Sequence, residues 1–360
     1  MKRFLHLIAL LTVSAAYLIV KSPDAIVWIR PYWFDLYQLG DLYRYSYLAE
    51  YKDTAVHSSP LPVMKEKQKL SLFVIGDSFA GPFEKGHFPM AANYSFVNWN
   101  HVNQSDIHLN LDTSENNVLV LQCSEKHILM RWEKSSYTPY LFPFDHHRND
   151  TGGVGFEYRK KPETFLQKTE RLIGRPAVAE QNIGILLFSN PLVLHIKESK
   201  ARLNRFLFHR IADEVEEYPE KKILVQRMTS ELKYKYMSSF RPHSDEETNA
   251  IAGNLGRMNQ YYRRAGFDTV LIALVPNPIS VIDPNYKGRT YNELLPRLES
   301  DVSGLGVVSV YAKFQFGKES LFRKGDSHWN LAGEQVWLSA LNQNLDQIAN
   351  QIPENKKARQ

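Results

Sequence analysis

Short, uninterrupted apolar runs alternate along this chain with segments of helical periodicity. Four of these runs have the length and bare hydrophobic character of strands buried on both faces: residues 72–75, 117–121, 269–275 and 306–310. Between them, Ser244 and Glu247 form a capping-box pattern before an amphipathic segment that ends at Gly266. Strands that alternate with helices predict an α/β fold with a mostly parallel sheet covered by helices on both faces.

Two further helices are predicted from apolar residues at helical spacing. The first carries an apolar stripe of Ile196, Leu203, Leu207, Ile211 and Val215. The second follows Asn330, its predicted N-cap, and presents Trp337, Leu341, Leu345 and Ile348 on one side. Residues 137–237 fit the alternation poorly, so we predict a helical insertion there, within a main domain over residues 68–350. The charged residues 351–360 predict a disordered tail.

The N-terminus places Lys2 and Arg3 before an apolar run over residues 4–20. Positive charges before such a run favour translocation of the rest of the chain out of the cytoplasm. No clean small-x-small cleavage site follows, which favours an uncleaved signal anchor over residues 1–22, a single membrane-spanning helix. A cleaved signal peptide and a buried core helix are the alternatives. Residues 23–67 are rich in aromatic side chains, which predicts either a membrane-interface stalk or ordinary packing against the domain.

Composition narrows the range of functions. The 360 residues carry a formal net charge of +5, too small an excess to indicate a nucleic-acid partner. The single cysteine, Cys123, excludes an internal disulfide and any multi-cysteine metal site, and we expect it to be a buried, inert thiol. The sequence Asp145-His146-His147 suggests metal ligands, but adjacent residues rarely share one ion. We therefore interpret it as a solvated loop and expect neither a metal nor a cofactor.

One candidate nucleophile follows the first predicted strand, in the sequence Ile75-Gly76-Asp77-Ser78-Phe79. A glycine at the strand end permits a tight turn, which would lift Ser78 to the carboxyl edge of the sheet, where open α/β folds place their sites. A serine hydroxyl needs a base to become a nucleophile. By itself this short motif also occurs in ordinary turns.

The candidate base lies just before the last helix, in the sequence Gly325-Asp326-Ser327-His328-Trp329. Asp326 is close enough along the chain to hydrogen-bond one nitrogen of the His328 ring, which would leave the other nitrogen for a serine. Taken singly, His328 fits a surface or helix-capping histidine better than a catalytic base. Together, Ser78, His328 and Asp326 supply a nucleophile, a base and a group that orients the base.

These motifs resemble the SGNH (GDSL-type) hydrolase superfamily, and most closely its membrane-anchored branch of polysaccharide O-acetyltransferases, which modify alginate or peptidoglycan. The likeness lies in residues 75–79, residues 326–330 and the strand that ends in Val275-Pro276-Asn277-Pro278. It implies a flavodoxin-like three-layer sandwich with a Ser78, His328 and Asp326 triad. It also implies a periplasmic domain held at the inner membrane, a polysaccharide acceptor and a membrane-embedded protein that donates acyl groups.

The chain departs from the family pattern at several points. Its Asp-x-His spacing differs from the Asp-x-x-His of SGNH esterases and fits the alginate type, although here the serine comes first. Gly81-Pro82 predicts a short or displaced helix after Ser78. The glycine and Gly-x-Asn-Asp motifs of the oxyanion hole lack clean counterparts, so the candidate donors are the Ser78 backbone amide, Asn100 and Gln122.

From these features we expect a membrane-anchored serine O-acyltransferase that modifies an extracytoplasmic polysaccharide through an acyl-Ser78 intermediate. A carbohydrate O-acetyl esterase of the same fold is the first alternative, because spacing alone does not distinguish transfer to a sugar from transfer to water. A non-catalytic glycan-binding or scaffold component of an envelope assembly is the second alternative. The glycan, the acyl group and the oligomeric state stay open.

Overall fold

The structure is a computed structural model, which describes these parts of the chain: residues 2–21, 38–53, 70–101, 107–112, 114–133, 144–147, 153–158, 164–165, 182–184 and 186–351. Much of the predicted stalk and the tail after residue 351 lie outside them. The chain forms two compact units. The first comprises residues 1–56, 160–216 and 324–326, and the second comprises residues 57–159, 217–323 and 327–360.

A five-stranded parallel sheet forms the centre of the second unit. The strands of the described chain are β1 (Leu70–Gly76), β2 (Ala91–Asn98), β3 (Ile107–Asp112), β4 (Asn117–Ser124), β5 (Phe144–His147), β6 (Gly155–Tyr158), β7 (Val215–Tyr218), β8 (Ile223–Gln226), β9 (Thr269–Val275) and β10 (Val307–Val308). The central sheet has the order β10-β9-β4-β1-β2, and every neighbouring pair in it is parallel. Strands β1 and β4 are buried along their whole length, as expected for strands covered on both faces.

Helices flank this sheet and complete an α/β three-layer sandwich. The α-helices of the described chain are α1 (Lys2–Lys21), α2 (Asp41–Ser46), α3 (Glu125–Trp132), α4 (Pro191–Phe208), α5 (Arg227–Ser230), α6 (Asp245–Arg264), α7 (Pro278–Ile282), α8 (Leu294–Asp301), α9 (Tyr311–Gly317) and α10 (Leu331–Asn350). The apolar stripes of α6 and α10 join the strands in one core; their fully buried members include Leu255, Tyr262, Trp337 and Leu341. Both predicted core helices are therefore confirmed.

The predicted capping box opens α6. The Ser244 hydroxyl accepts a hydrogen bond from the Glu247 amide at 3.2 Å, and the Glu247 carboxylate accepts one from the Ser244 amide at 3.2 Å. These two bonds satisfy amides that a helix N-terminus otherwise leaves without partners. Gly266, with φ of 113°, follows the helix as predicted.

The insertion differs from the helical segment that we predicted. Its described part contains α4, but also the strands β5 to β8. The backbone of residues 144–147 forms strand β5, which pairs with β3 in a three-stranded sheet of order β5-β3-β6. The interpretation of Asp145, His146 and His147 as a loop is therefore wrong, because strand pairing engages this backbone.

The apolar stripe predicted over residues 196–215 is also corrected. Helix α4 ends at Phe208, so Ile211 lies beyond it and Val215 begins β7. The remaining residues of the stripe face solvent, because Ile196 is 61 % exposed and Leu203 is 54 % exposed. Among the described residues, no helix has the combination of length and hydropathy needed to cross a membrane.

Candidate active site

The turn that carries Ser78 lies where the strand order of the central sheet reverses. Strand β1 pairs with β2 on one side and with β4 on the other, which gives the 2-1-3-4-5 order of flavodoxin-like doubly wound sheets. Ligands of such sheets bind at the carboxyl ends of the strands beside this reversal. Ser78 follows the carboxyl end of β1 by two residues and its side chain is exposed.

Gly76 ends β1 at a point where no side chain fits. A Cβ atom there would lie 2.7 Å from Oε1 of Gln122 and 3.0 Å from Cβ of Ala80. The space is used by Gln122, whose Oε1 accepts a hydrogen bond from the Asp77 amide at 2.8 Å. Because Gly76 has no side chain, the Gln122 side chain of β4 can reach the backbone of the turn that carries Ser78.

The buried carboxylate of Asp77 holds the serine turn by accepting hydrogen bonds from two backbone amides. One carboxylate oxygen accepts the Phe79 amide at 3.1 Å and the other accepts the Ser124 amide at 2.8 Å. Nδ1 of His127 lies 3.8 Å from the second oxygen. Burial by itself raises the pKa of Asp77, but the hydrogen bonds of His127, Ser124 and Phe79 outweigh it, so the pKa lies well below its ordinary value. Asp77 is therefore a buried carboxylate, and its hydrogen bond with the Ser124 amide links the end of β1 to the end of β4.

His328 lies in a loop closed by backbone pairing. Phe322 and Trp329 form an antiparallel bridge, and the Arg323 amide donates to the His328 carbonyl at 3.2 Å. The Asn330 side chain fixes the end of this loop, since its oxygen accepts the first amides of α10 and its Nδ2 donates to the carbonyls of Ser320 at 2.7 Å and Phe322 at 3.2 Å. The side-chain amide of Asn330 therefore holds both the histidine loop and the first turn of α10.

Aromatic packing sets the position of the His328 ring. The Phe79 ring lies 4.5 Å from the imidazole and 4.9 Å from the Trp329 ring, measured between centroids. Trp329 in turn contacts Trp337 of α10, with 5.8 Å between centroids. Because Phe79 directly follows Ser78, the same side chain links the serine turn to the histidine loop.

These two segments bring Ser78 and His328 together. The Oγ atom of Ser78 lies 2.7 Å from Nε2 of His328, although 250 residues separate them in the chain. With the proton of the neutral ring on Nδ1, Nε2 accepts the hydrogen bond of the hydroxyl. An exposed hydroxyl with a neutral imidazole at this distance is the arrangement that general-base activation of a serine requires.

Asp326 belongs to the first unit and is 4 % exposed. The adjacent Gly325 carbonyl accepts the amides of Leu42 at 3.0 Å and Tyr43 at 2.8 Å, and the Gly325 amide donates to Asp53 at 3.2 Å. The first unit thus holds the backbone next to Asp326. The assignment of Asp326 as the residue that orients His328 depends on its position two residues before it.

The three candidate oxyanion donors have different surroundings. The Ser78 amide donates to no acceptor among the described residues. The Gln122 side chain is fully buried beneath the turn, with its oxygen on the Asp77 amide. Asn100 is exposed on the 3₁₀ turn after β2, where its amide donates to Oδ1 of Asn98 at 2.9 Å.

The sequence did not single out Asn98, the register partner of Gly76 on β2. It is nearer to the serine turn in register than Asn100 is, and only strand pairing identifies it. Asp77, Phe79 and Asn330 were visible as members of the motifs, but their contacts with the turn and the loop required the tertiary structure.

The motif at the end of β9, Val275-Pro276-Asn277-Pro278, is held in place by the buried side chain of Glu125. Glu125 accepts the Asn277 amide at 2.9 Å and the Ser280 hydroxyl at 2.7 Å, and Asn277 Nδ2 donates to the Ser239 hydroxyl at 2.9 Å. Burial raises the pKa of Glu125.

Cys123 is fully buried, and burial raises the pKa of its thiol, which disfavours the reactive thiolate.

Comparison of the chain with protein-family models, with curated proteins and with solved structures finds no match in any of the three.

Proposed function

We propose that this chain is an SGNH-type serine O-acyltransferase that modifies an extracytoplasmic polysaccharide. The observation that carries the proposal is the 2.7 Å distance between Oγ of Ser78 and Nε2 of His328 at the carboxyl edge of a parallel sheet. The motif resemblance supports the acyl chemistry. The N-terminal charges and apolar run support an extracytoplasmic domain attached to the inner membrane.

In the proposed reaction, His328 accepts the Ser78 proton while Oγ attacks the carbonyl carbon of an acyl donor. The negative charge that develops on the carbonyl oxygen is stabilised by the Ser78 amide and a second donor. Collapse of this intermediate expels the donor oxygen, which takes the proton from His328 and leaves an ester on Ser78. A sugar hydroxyl then gives its proton to His328, attacks the ester and restores the Ser78 hydroxyl.

Hydrolysis is the second candidate function, because the Ser78 side chain is exposed. In an esterase, water replaces the sugar hydroxyl in the last step. Asp326 would orient the imidazole and stabilise its positive charge in either reaction. No metal or cofactor takes part in the proposed steps.

The test uses the full chain in detergent with a chromogenic acetyl ester. We expect a burst of product and an acetyl group on Ser78 by mass spectrometry, both lost in Ser78→Ala, with turnover of His328→Ala reduced at least about a thousandfold. Ser199→Ala, which removes an exposed serine of α4, is the matched control and should keep full activity.

An oligosaccharide acceptor separates the two reactions. A transferase yields more acetylated sugar than free acetate at millimolar acceptor, whereas an esterase yields acetate regardless of the acceptor. Absence of both turnover and acyl-Ser78 would overturn the enzymatic proposal and leave the scaffold alternative.

A further inference from the structure

The first unit exposes a row of large apolar side chains along α4. Its members lie on one side of the helix at spacings of 4, 7, 3 and 1 residues, and each is more than half exposed: Leu192, Ile196, Leu203, Phe206 and Leu207. We call these five residues the α4 stripe. On a helix of 18 residues it extends for most of about 27 Å. Single exposed apolar residues are ordinary, but a continuous row marks an interaction surface.

The opposite side of α4 is already used for packing within this unit. Leu194 is 2 % exposed and packs with Leu39 and Tyr43. Glu198 accepts a hydrogen bond from the Tyr43 hydroxyl at 2.6 Å and pairs with Lys52 at 3.2 Å. The orientation of the helix is therefore set by contacts that turn the α4 stripe outward.

The charges on α4 distinguish between possible partners. Its only acid, Glu198, is buried on the packed side. Lys200 and Arg202 are exposed on the two flanks of the α4 stripe, and neither has an ion-pair partner among the described residues. An apolar row with basic flanks and no exposed acid is the pattern of a helix that lies in the interface of an anionic bilayer.

A basic cavity of about 460 Å³ adjoins this helix within the same unit. It is lined by Lys197, Lys200 and Arg210 with Tyr45 and Tyr47, and no acidic side chain lines it. Its position beside Lys200 gives phosphate-bearing headgroups a cationic site next to the α4 stripe.

The segment before α4 also exposes apolar side chains and contacts the N-terminal helix. Asn182 Nδ2 donates to the Val20 carbonyl near the end of α1 at 2.7 Å. Between Asn182 and α4, Leu187 and Phe188 are also more than half exposed. Exposed apolar side chains therefore occur both in the segment that leads into α4 and along α4 itself.

We propose that α4 docks onto the surface of an anionic lipid bilayer, with the α4 stripe at the acyl boundary and the exposed Lys200, Arg202 and Arg210 on lipid phosphates. This contact is separate from the Ser78 site and does not depend on the proposed reaction. In this arrangement the axis of α4 lies parallel to the membrane plane. The contact is a second membrane attachment, in addition to an attachment through the N-terminal segment.

Binding of the full chain to vesicles is the first measurement. Leu203→Ser together with Phe206→Ser should lower partitioning into vesicles of phosphatidylcholine and phosphatidylglycerol by about tenfold or more, since two large apolar side chains lose their burial. Lys200→Gln together with Arg202→Gln should lower it by roughly thirtyfold on anionic vesicles and little on neutral ones. Phe316→Ser, at a 95 % exposed position of the second unit, and Lys313→Gln are the matched controls.

Because α1 also exposes apolar side chains, a probe on the helix itself is the second measurement. An environment-sensitive fluorophore on Phe206→Cys should shift to the blue on anionic vesicles, while the same fluorophore on Phe316→Cys should not. No shift at position 206 while the chain is bound would overturn the proposal. So would equal shifts at both positions, or a shift that rises with protein concentration without vesicles, which would indicate a second copy of the chain.

Discussion

At the scale of single residues, the serine turn depends on groups that do not react. Asp77 accepts two backbone amides, Gln122 accepts a third, and Phe79 contacts the imidazole ring. Each of these contacts fixes a backbone amide or a ring next to Ser78 or His328. Positioning to within about an ångström matters for such pairs, because misplacement of that size costs about a hundredfold in rate.

Asp77 should also link stability to pH. Its pKa is lowered in the folded state, so its contribution is present above the ordinary pKa of about 4 and is lost as the pH falls toward the folded value. We expect Asp77→Asn to lower the free energy of unfolding by about 2–4 kcal/mol at pH 7, since Nδ2 cannot accept an amide. Urea unfolding between pH 2 and 7 measures both effects.

An exposed aspartate provides the control for the Asp77→Asn unfolding measurements. Asp213→Asn changes an exposed aspartate and should leave the free energy of unfolding at pH 7 within about 0.5 kcal/mol of the parent. If Asp77→Asn retained the full acid dependence of the parent, the lowered pKa of Asp77 would not be its source.

At the scale of elements, the junction of the histidine loop with α10 determines where His328 lies. Asn330 caps the helix with its oxygen and holds the loop with its nitrogen, so helix formation and loop closure are coupled. Gly333, in the first turn of α10, allows the loop backbone to approach the helix closely, because a Cβ atom there would lie 2.4 Å from the Leu321 carbonyl oxygen. The capping residue was predicted from the sequence, but its role in the loop was not.

Replacing Asn330 should therefore affect both stability and the proposed activity. We expect Asn330→Ala to cost about 1–2 kcal/mol through loss of the cap and to lower ester turnover at least about tenfold through movement of His328. Asn330→Asp keeps the capping oxygen but loses the donor to Ser320 and Phe322, so it should retain more stability than activity. Thermal unfolding and steady-state kinetics measure the two effects.

Asn350→Ala, at the exposed end of the same helix, is the control and should change neither quantity appreciably. Turnover in Asn330→Ala equal to that of the parent would show that the loop holds His328 without this clamp.

At the scale of the whole molecule, β4 is the strand on which the second unit depends. It is the middle strand of the five, it is buried throughout, and it pairs with both β1 and β9. The residues that hold the serine turn, Gln122 and Ser124, lie at its carboxyl end. Damage to β4 should therefore unfold the sheet and displace the site together.

We expect Leu119→Ala in the middle of β4 to lower the free energy of unfolding by about 2–5 kcal/mol, because it opens a cavity beside fully buried neighbours. Met130→Ala, at a 47 % exposed position of α3, should change it by less than about 0.5 kcal/mol. Urea denaturation followed by tryptophan fluorescence measures this difference. Equal midpoints for the two variants would contradict the central role of β4.

Local patterns determined the parts of this protein that depend on local interactions. The run over residues 269–275 became β9 with the predicted bounds, and the capping residues Ser244 and Asn330 begin the helices that they were expected to begin. An uninterrupted apolar run must be buried on both faces, and a helix must satisfy its first amides, wherever the segment finally lies.

Only the tertiary structure decided which distant groups meet and which apolar surfaces stay open. The approach of Ser78 to His328 follows from the strand order and from the Phe79 contact, neither of which is encoded in a single segment. The stripe on α4 has the periodicity of a buried helix but faces solvent, because the packing of Leu194 and Glu198 turns it outward. Periodicity identifies a helix and its apolar side, whereas the partner of that side depends on how the rest of the chain packs.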